Sequence, residues 1–290
     1  MTALGGVYIF LMIVATSAQS IFQKGYNLKL GGRGSSFFSA ASAVVALAFF
    51  LVKASIFNTF DFSTEVLPYA LLYGLGYAVA SVFYLLSMNT GPLSLSSLVL
   101  SYSMIIPTGW GILVDGDELT PALVAGLVLL FVSIFILNFG KADGTKIGGS
   151  WVVFALLTFL GNGVCQVAQT EQASRFLGAY DDTFMISSLT VAVFMMLTFS
   201  LVFERDTMRQ AVVVGAPFYL SRGVLNAIGN LLAMLIAAIG VNKSVMFPLS
   251  SAGGIVLTWA ISVIIYRERL SLKQNIAMIL GTLSVVFLSL

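Results

Sequence analysis

The sequence predicts an all-α membrane protein with ten transmembrane helices, arranged as two inverted five-helix repeats around a central cavity. Hydrophobic residues make up 59% of its 290 residues and charged residues only 9%, whereas soluble domains carry about 25% charged residues. A chain with so few charges cannot cover a globule with water-solvated side chains, so lipid is its expected solvent. A mean hydropathy of +1.01 agrees. We expect a multi-pass protein of the bacterial inner membrane.

An internal repeat is the second observation. One interval, about half the chain, separates three pairs of identical residues: Gly74 and Gly223, Gly91 and Gly240, and Trp110 and Trp259 (223 − 74 = 149). Chance identities between two leucine-rich sequences are the alternative, but the helix order and the turns match as well. Because each half holds five helices, an odd number, the second half enters the membrane from the opposite side, which makes the repeats inverted.

The helices follow from length and hydropathy, because a membrane-spanning helix needs about 20 mostly apolar residues. Ten segments meet this requirement: 3–23, 35–54, 66–88, 92–114, 119–139, 149–170, 182–203, 213–238, 242–265 and 271–290. The first resembles the apolar part of a signal peptide, but residues 1–6 carry no positive charge, so we interpret it as a membrane helix.

The polar, glycine-rich stretch 141–148 marks the boundary between the halves. It divides the chain into a first five-helix repeat, 1–140, and a second, 149–290. The distribution of Lys and Arg among the loops predicts that both termini lie outside the cell.

Composition excludes several kinds of site. The net charge of +2 is too small to indicate nucleic-acid binding, and the chain has no histidine for a proton relay or a metal site. Cys165, the one cysteine, cannot form an intrachain disulfide and is expected to pack in an apolar helix. We find no catalytic constellation, so we expect no enzyme activity, no cofactor and no metal.

Polar stripes on two equivalent helices indicate a site. Arg222, Asn226 and Asn230 follow at four-residue steps on the eighth helix, so they share one face. The positions 149 residues earlier, on the third helix, carry a second stripe: Tyr73, Tyr77 and Ser81. An ionisable group inside a bilayer costs about 2.5–3.5 kcal/mol and is a functional hypothesis. The alternatives are interhelical hydrogen bonds that only join the bundle, or an Arg222 that snorkels to the interface.

Two charged residues near helix ends are further candidates. Lys243 opens the ninth helix, where the helix dipole disfavours a cation, so either an anionic ligand or a position at the membrane surface would explain it. Glu171, predicted to end the sixth helix, lies four residues before Arg175. It either pairs with Arg175 at the surface or acts as a gate that pairs with Arg222 or Lys243.

Amide side chains on the first and sixth helices complete the predicted site, because amides both donate and accept hydrogen bonds and suit a polar metabolite. Asn162 shares the face of the sixth-helix amides. The predicted substrate-binding residues are Gln19, Gln23, Tyr73, Tyr77, Ser81, Tyr102, Gln166, Gln169, Arg222, Asn226, Asn230, Lys243 and Ser250, with Glu171 as the gating or coupling residue.

These residues resemble the drug/metabolite transporter superfamily, in the form with two EamA-type halves. The resemblance rests on Gly91-Pro92 before the fourth helix, the acidic turn 115–120 and the related turn 267–271. It implies ten helices, a cavity lined by the first four helices of each half, and peripheral fifth and tenth helices. The stretch from Gly240 to Lys243 is similar to one in nucleotide-sugar transporters, where the lysine faces an anionic ligand. The first helix lacks the glutamate on which the small multidrug members rely.

The expected function is therefore secondary transport of a small polar metabolite by alternating access. Arg222 and Lys243 favour an anionic or zwitterionic solute, such as an amino acid or an organic acid. The alternative is an exporter of lipophilic cations or drugs, and a channel or a scaffold is a further class. The expected partners are a small-molecule substrate and the lipid bilayer, with no nucleic acid. Ten helices suffice for a complete pathway, so we expect a monomer.

Overall fold

A computed structural model of the chain is helical throughout the residues it describes, which are 3–30, 33–90, 99–100, 102–138, 149–264 and 272–289, apart from short turns. Within these ranges lie the α-helices α1 (Ala3–Leu30), α2 (Ser35–Phe57), α3 (Leu67–Thr90), α4 (Ile105–Leu113), α5 (Pro121–Asn138), α6 (Gly149–Arg175), α7 (Asp181–Phe203), α8 (Arg205–Ala238), α9 (Lys243–Ile264) and α10 (Leu272–Ser289). A short 3-10 helix, Thr64–Val66, leads into α3.

Six of the described helical segments are long and apolar enough to cross a membrane. They are Leu4–Gln23, Ser35–Phe57, Thr64–Tyr84, Gly149–Arg175, Asp181–Phe203 and Arg205–Ala238. Large apolar side chains point outwards from the bundle, where Phe194 is 73% exposed and Val213 is 72% exposed. Lipid, not water, is the solvent that such a surface fits. The chain is therefore a multi-pass helical membrane protein.

Three helices extend beyond the apolar segments that predicted them. The first continues to Leu30 instead of residue 23, the sixth continues to Arg175 instead of residue 170, and the eighth begins at Arg205 instead of residue 213. Hydropathy detects only the part of a helix that lies in lipid, whereas backbone hydrogen bonds continue through polar residues in water. We predicted that Glu171 ends the sixth helix, but α6 continues to Arg175, so Glu171 lies inside it.

Some predicted features lie outside the described residues. They include the start of the predicted fourth helix, residues 92–98, and the Gly91-Pro92 turn. The linker 141–148 and the turn 267–271 also lie outside them.

The contacts between helices keep their pattern when each of the helices α1 to α5 is exchanged for the helix five places later, α1 for α6, α2 for α7 and so on. The contact of α3 with α6 has its counterpart in α8 with α1, and the contact of α2 with α8 has its counterpart in α7 with α3. The pairs α2–α7, α4–α9 and α5–α10 join helices at equivalent positions. The largest helix–helix interfaces thus connect the two parts of the chain.

Glycines at equivalent positions allow two of these close contacts. A Cβ atom at Gly74 of α3 would lie 2.6 Å from the carbonyl oxygen of Ser188 on α7. A Cβ atom at Gly223 of α8 would lie 2.6 Å from the carbonyl oxygen of Ser42 on α2. A backbone carbonyl inside a helix cannot rotate aside as a side chain can, so both contacts require a residue without a side chain.

We predict that Gly74→Ala and Gly223→Ala each lower the unfolding temperature, because the added methyl group overlaps a backbone carbonyl. Overpacking of this kind costs about 1–3 kcal/mol. Gly109 of α4 is the matched control, since a Cβ atom there meets no described atom within 4 Å and Gly109→Ala is expected to be neutral or slightly stabilising. Thermal unfolding in detergent micelles measures the three variants, and wild-type stability of both Gly74→Ala and Gly223→Ala would contradict this packing.

Candidate functional site

A central cavity of about 330 Å³ lies among α1, α6, α8 and α9. This volume is at the lower end of the range for small-molecule sites. Amide and hydroxyl side chains supply its polar lining: Thr16, Gln19, Ser103, Asn162, Gln166, Gln169, Asn226, Asn230, Ser250 and Ser251. Methionines and Phe247 supply much of the apolar remainder. The space suits a small metabolite with several hydrogen-bonding groups.

A second cavity of about 150 Å³ adjoins the first and shares Leu100, Asn162 and Asn226 with it. Its other polar residues come from α1, α2, α3 and α8: Gln23, Ser39, Tyr77, Ser81, Tyr84 and Arg222. The polar faces of α3 and α8 therefore line one cavity between the helices.

A chain of hydrogen bonds connects four helices along the wall of the larger cavity. The hydroxyl of Tyr73 and Nε2 of Gln169 donate to Oδ1 of Asn230, at 3.0 and 3.1 Å. Asn230 donates to Oδ1 of Asn226 at 3.1 Å, and Asn226 donates to Oε1 of Gln19 at 3.4 Å. The polar stripe thus joins helices as well as lining a cavity, and three of its amide oxygens already accept hydrogen bonds.

Arg222 is the charged residue of the smaller cavity. Its Nε and Nη1 atoms are buried and find no hydrogen-bond acceptor among the described residues. Its guanidinium carbon lies 5.3 Å from the centroid of the Phe38 ring, a cation–π contact that compensates only part of the charge. In the larger cavity, Gln166 Oε1 and Ser250 Oγ are likewise buried without a described partner. The planar N–H groups of a guanidinium match the oxygen atoms of a carboxylate or a phosphate.

A cluster of charges lies at the start of α9, and we call it the Lys243 cluster. Lys243 Nζ forms ion pairs with Asp115, at 2.8 Å, and with Glu171. Trp110 Nε1 donates to Glu171 at 2.8 Å. The Lys243 side chain is only 5% exposed, so these contacts neutralise a charge that has little access to solvent. Burial raises the pKa of Asp115 above its usual value, although the ammonium group of Lys243 opposes the shift.

The Lys243 cluster corrects what we predicted for Lys243. Lys243 is neither exposed at the surface nor part of the lining of either cavity. Its charge at the helix start is stabilised by two carboxylates of the protein itself. Glu171 does not pair with Arg175, whose Nη1 instead donates to the hydroxyl of Tyr69 at 3.1 Å. The alternative in which Glu171 meets Lys243 is the one that the structure shows.

Two tyrosines predicted to bind substrate, Tyr73 and Tyr102, line neither cavity. Tyr73 is buried, and its hydroxyl donates to Asn230. The ring of Tyr102 is 5.3 Å from the ring of Phe131 on α5, and the Tyr102 hydroxyl donates to the Phe131 carbonyl at 3.4 Å.

Asn162, which the sequence analysis placed on the face of the sixth-helix amides, lines both cavities and donates to the hydroxyl of Ser103. The sequence analysis missed Thr16 and Ser103 of the larger cavity.

A second ion pair joins α2 and α7, between Lys53, which is 25% exposed, and the buried Asp182. Lys53 Nζ lies 2.7 Å from Asp182, which also accepts a hydrogen bond from the hydroxyl of Thr59. Among the described residues, no group of three or more Cys, Asp or Glu side chains is placed to hold a metal ion.

Comparison with known proteins identifies the fold but no family. No protein-family model matches the sequence, and no curated protein matches it. A solved crystal structure, described only as that of a protein, superposes with a TM-score of 0.77 over 99% of this chain and 96% of that chain, at 16% sequence identity. At this identity the likeness shows the fold alone, so function has to be argued from the site.

We predict that Lys243→Met destabilises the protein, because it leaves two partly buried carboxylates beside each other without their cation. The expected loss is about 1–3 kcal/mol, measured as unfolding temperature in micelles. Adding Glu171→Gln should restore part of it, since one of the two negative charges is then removed. Lys29→Met is the control, because Lys29 is exposed and contacts only the face of the Phe218 ring among the interactions described for it. A Lys243→Met variant as stable as wild type would show that the ion pairs contribute nothing.

Proposed function

We propose that the protein is a secondary transporter of the drug/metabolite transporter type, which moves a small polar metabolite, anionic or zwitterionic, across the membrane by alternating access. The observation that carries this proposal is Arg222, which lines a cavity between the helices of a membrane protein and whose Nε and Nη1 atoms have no hydrogen-bond partner among the described residues. A charge inside a membrane protein is costly and marks a substrate or ion pathway. A bound anion supplies the acceptors that the guanidinium otherwise lacks.

The helix packing supports a carrier built from two inverted repeats. The interfaces keep their pattern when the two sets of five helices are exchanged, and Gly74 and Gly223 make equivalent contacts. The cavities are lined from both sets, by α1, α2 and α3 and by α6, α8 and α9. Two related halves with a site between them provide the two near-equivalent conformations that alternating access requires.

The Lys243 cluster is the proposed gate at one end of the cavity. It joins Asp115, which follows α4, to Glu171 of α6 and Lys243 of α9, so it connects the two sets of helices. Met246, one turn further along α9, lines the larger cavity. A solute that leaves the cavity at this end must pass elements that these ion pairs hold together. In this proposal the ion pairs break when the cavity opens to that face.

Export of lipophilic cations is less well supported. The tyrosines of the smaller cavity would suit such compounds, but its one charged lining residue among those described is a cation, Arg222. Neither cavity has a described Asp or Glu in its lining. A cationic drug would meet repulsion without a compensating carboxylate.

Counterflow tests the transport proposal. Proteoliposomes loaded with unlabelled amino acids and small organic acids are expected to accumulate the same compounds in labelled form, since a carrier exchanges solute across the membrane whereas a pore or a scaffold does not. Arg222→Gln is expected to reduce the rate by about tenfold or more, the effect of about 1.4 kcal/mol or more in binding. Arg205→Gln, an exposed change at the start of the same helix, is the control. Equal counterflow in wild type and Arg222→Gln would contradict the role of Arg222.

Cysteine labelling tests the gate. In a Cys165→Ala chain, a cysteine introduced by Met246→Cys should react slowly with a membrane-impermeant maleimide added on the face that carries the Lys243 cluster. Glu171→Gln should raise that rate, because it weakens the ion pairs that hold the end closed. Glu118→Gln, an exposed change in the loop after α4, should leave the rate unchanged. A rate that Glu171→Gln does not alter would show that the cluster does not gate the cavity.

A further inference from the structure

The charges around the cavities are unbalanced. Of the residues that line the two cavities in the described part of the chain, Arg222 alone is charged, and the lining contains no described carboxylate. Two other described cations are paired within the protein: Lys243, which is buried, with Asp115 and Glu171, and Lys53, which is 25% exposed, with Asp182. The site therefore presents one positive charge and no negative charge to whatever enters it.

One guanidinium sets the number of negative charges that the site can neutralise. A carboxylate carries a single charge and two oxygen atoms that match two neighbouring N–H groups of Arg222. A phosphate monoester carries about 1.5 to 2 negative charges near neutral pH. A second negative charge would enter an apolar surrounding without a partner, which is unfavourable.

An ammonium group on the same molecule is disfavoured for a related reason. It would lie near Arg222 with no carboxylate to balance it. The oxygen atoms that line the described part of the cavities belong to neutral amides and hydroxyls, such as Gln166 Oε1 and Ser250 Oγ. They can form hydrogen bonds with hydroxyl groups, but they do not balance a second positive charge beside Arg222.

We infer that the substrate is a hydroxylated monocarboxylate. Its carboxylate binds Arg222 in the smaller cavity, and its hydroxyl groups reach Gln166 and Ser250 in the larger one. The two cavities adjoin at Asn162 and Asn226, and in this inference one molecule extends from one cavity into the other. This inference rests on the proposed transport function and narrows it: it selects an anion over a zwitterionic amino acid.

A matched set of compounds tests the charge. Glycerate, serine, glycerol and glycerol 3-phosphate share a three-carbon skeleton and differ mainly in charge. Binding to the full chain in nanodiscs, measured by calorimetry and thermal shift, is expected to be strongest for glycerate and about tenfold weaker for serine and for the phosphate. Glycerol is expected not to bind measurably. Serine or the phosphate binding as tightly as glycerate, or no stabilisation by glycerate, would overturn the inference.

Two sets of variants test whether Arg222 binds the carboxylate and whether Ser250 binds the hydroxyl groups. Arg222→Gln should abolish the preference for glycerate over glycerol, whereas Arg222→Lys should keep the preference but weaken binding, because the ammonium group lacks the planar fork. Ser250→Ala should reduce the preference for glycerate over propionate, which has no hydroxyl groups. Ser55→Ala, an exposed change on α2 outside both cavities, should leave that preference unchanged. If Ser250→Ala has no more effect than Ser55→Ala, the placement of the hydroxyl groups is wrong.

Counterflow of labelled glycerate and labelled serine separates this inference from the transport proposal. Exchange of serine but not glycerate would contradict the inference and leave transport standing. Tight, Arg222-dependent binding of glycerate without exchange of either compound would contradict transport and leave the binding chemistry standing. Exchange of glycerate that exceeds exchange of serine supports both.

Discussion

The constraint on which the structure depends is the burial of one unpaired guanidinium inside an apolar helical bundle. Hydrocarbon cannot solvate Arg222, so the protein surrounds it with the face of the Phe38 ring and with the hydroxyl-bearing faces of α3 and α2. These partners compensate only part of the charge, and two nitrogen atoms, Nε and Nη1, stay without an acceptor among the described residues. An arrangement that is poor for stability is well suited to binding an anion.

Lys243 and Lys53 contrast with Arg222. Each lysine pairs with carboxylates that are distant in the sequence, so each ion pair connects parts of the chain. Arg222, which lines the smaller cavity, has no such partner among the described residues. The chain of hydrogen bonds from Tyr73 to Gln19 connects four helices beside the larger cavity.

Much of the helical fold could be predicted because its signals are local. Apolar length located most helices, and four-residue spacing placed Arg222, Asn226 and Asn230 on one face, which lines the cavities. The predictions for Lys243 and Tyr102 were wrong because the positions of these side chains depend on tertiary contacts. Nothing near Lys243 in the sequence shows that Asp115 and Glu171 neutralise it, and helical periodicity could not reveal that Phe131 covers Tyr102. Helix ends that continue into water were also missed, because hydropathy reports only the part in lipid.

The most direct test of this account measures the sign of the charge inside the cavity. A cysteine introduced by Asn226→Cys in a Cys165→Ala chain reacts with anionic and cationic methanethiosulfonates of similar size, and the ratio of the two rates is compared with that of free cysteine. The account predicts a ratio shifted towards the anionic reagent, and loss of the shift when Arg222→Gln is added. A preference for the cationic reagent, or no reaction with either, would contradict a water-accessible cavity whose charge is set by Arg222.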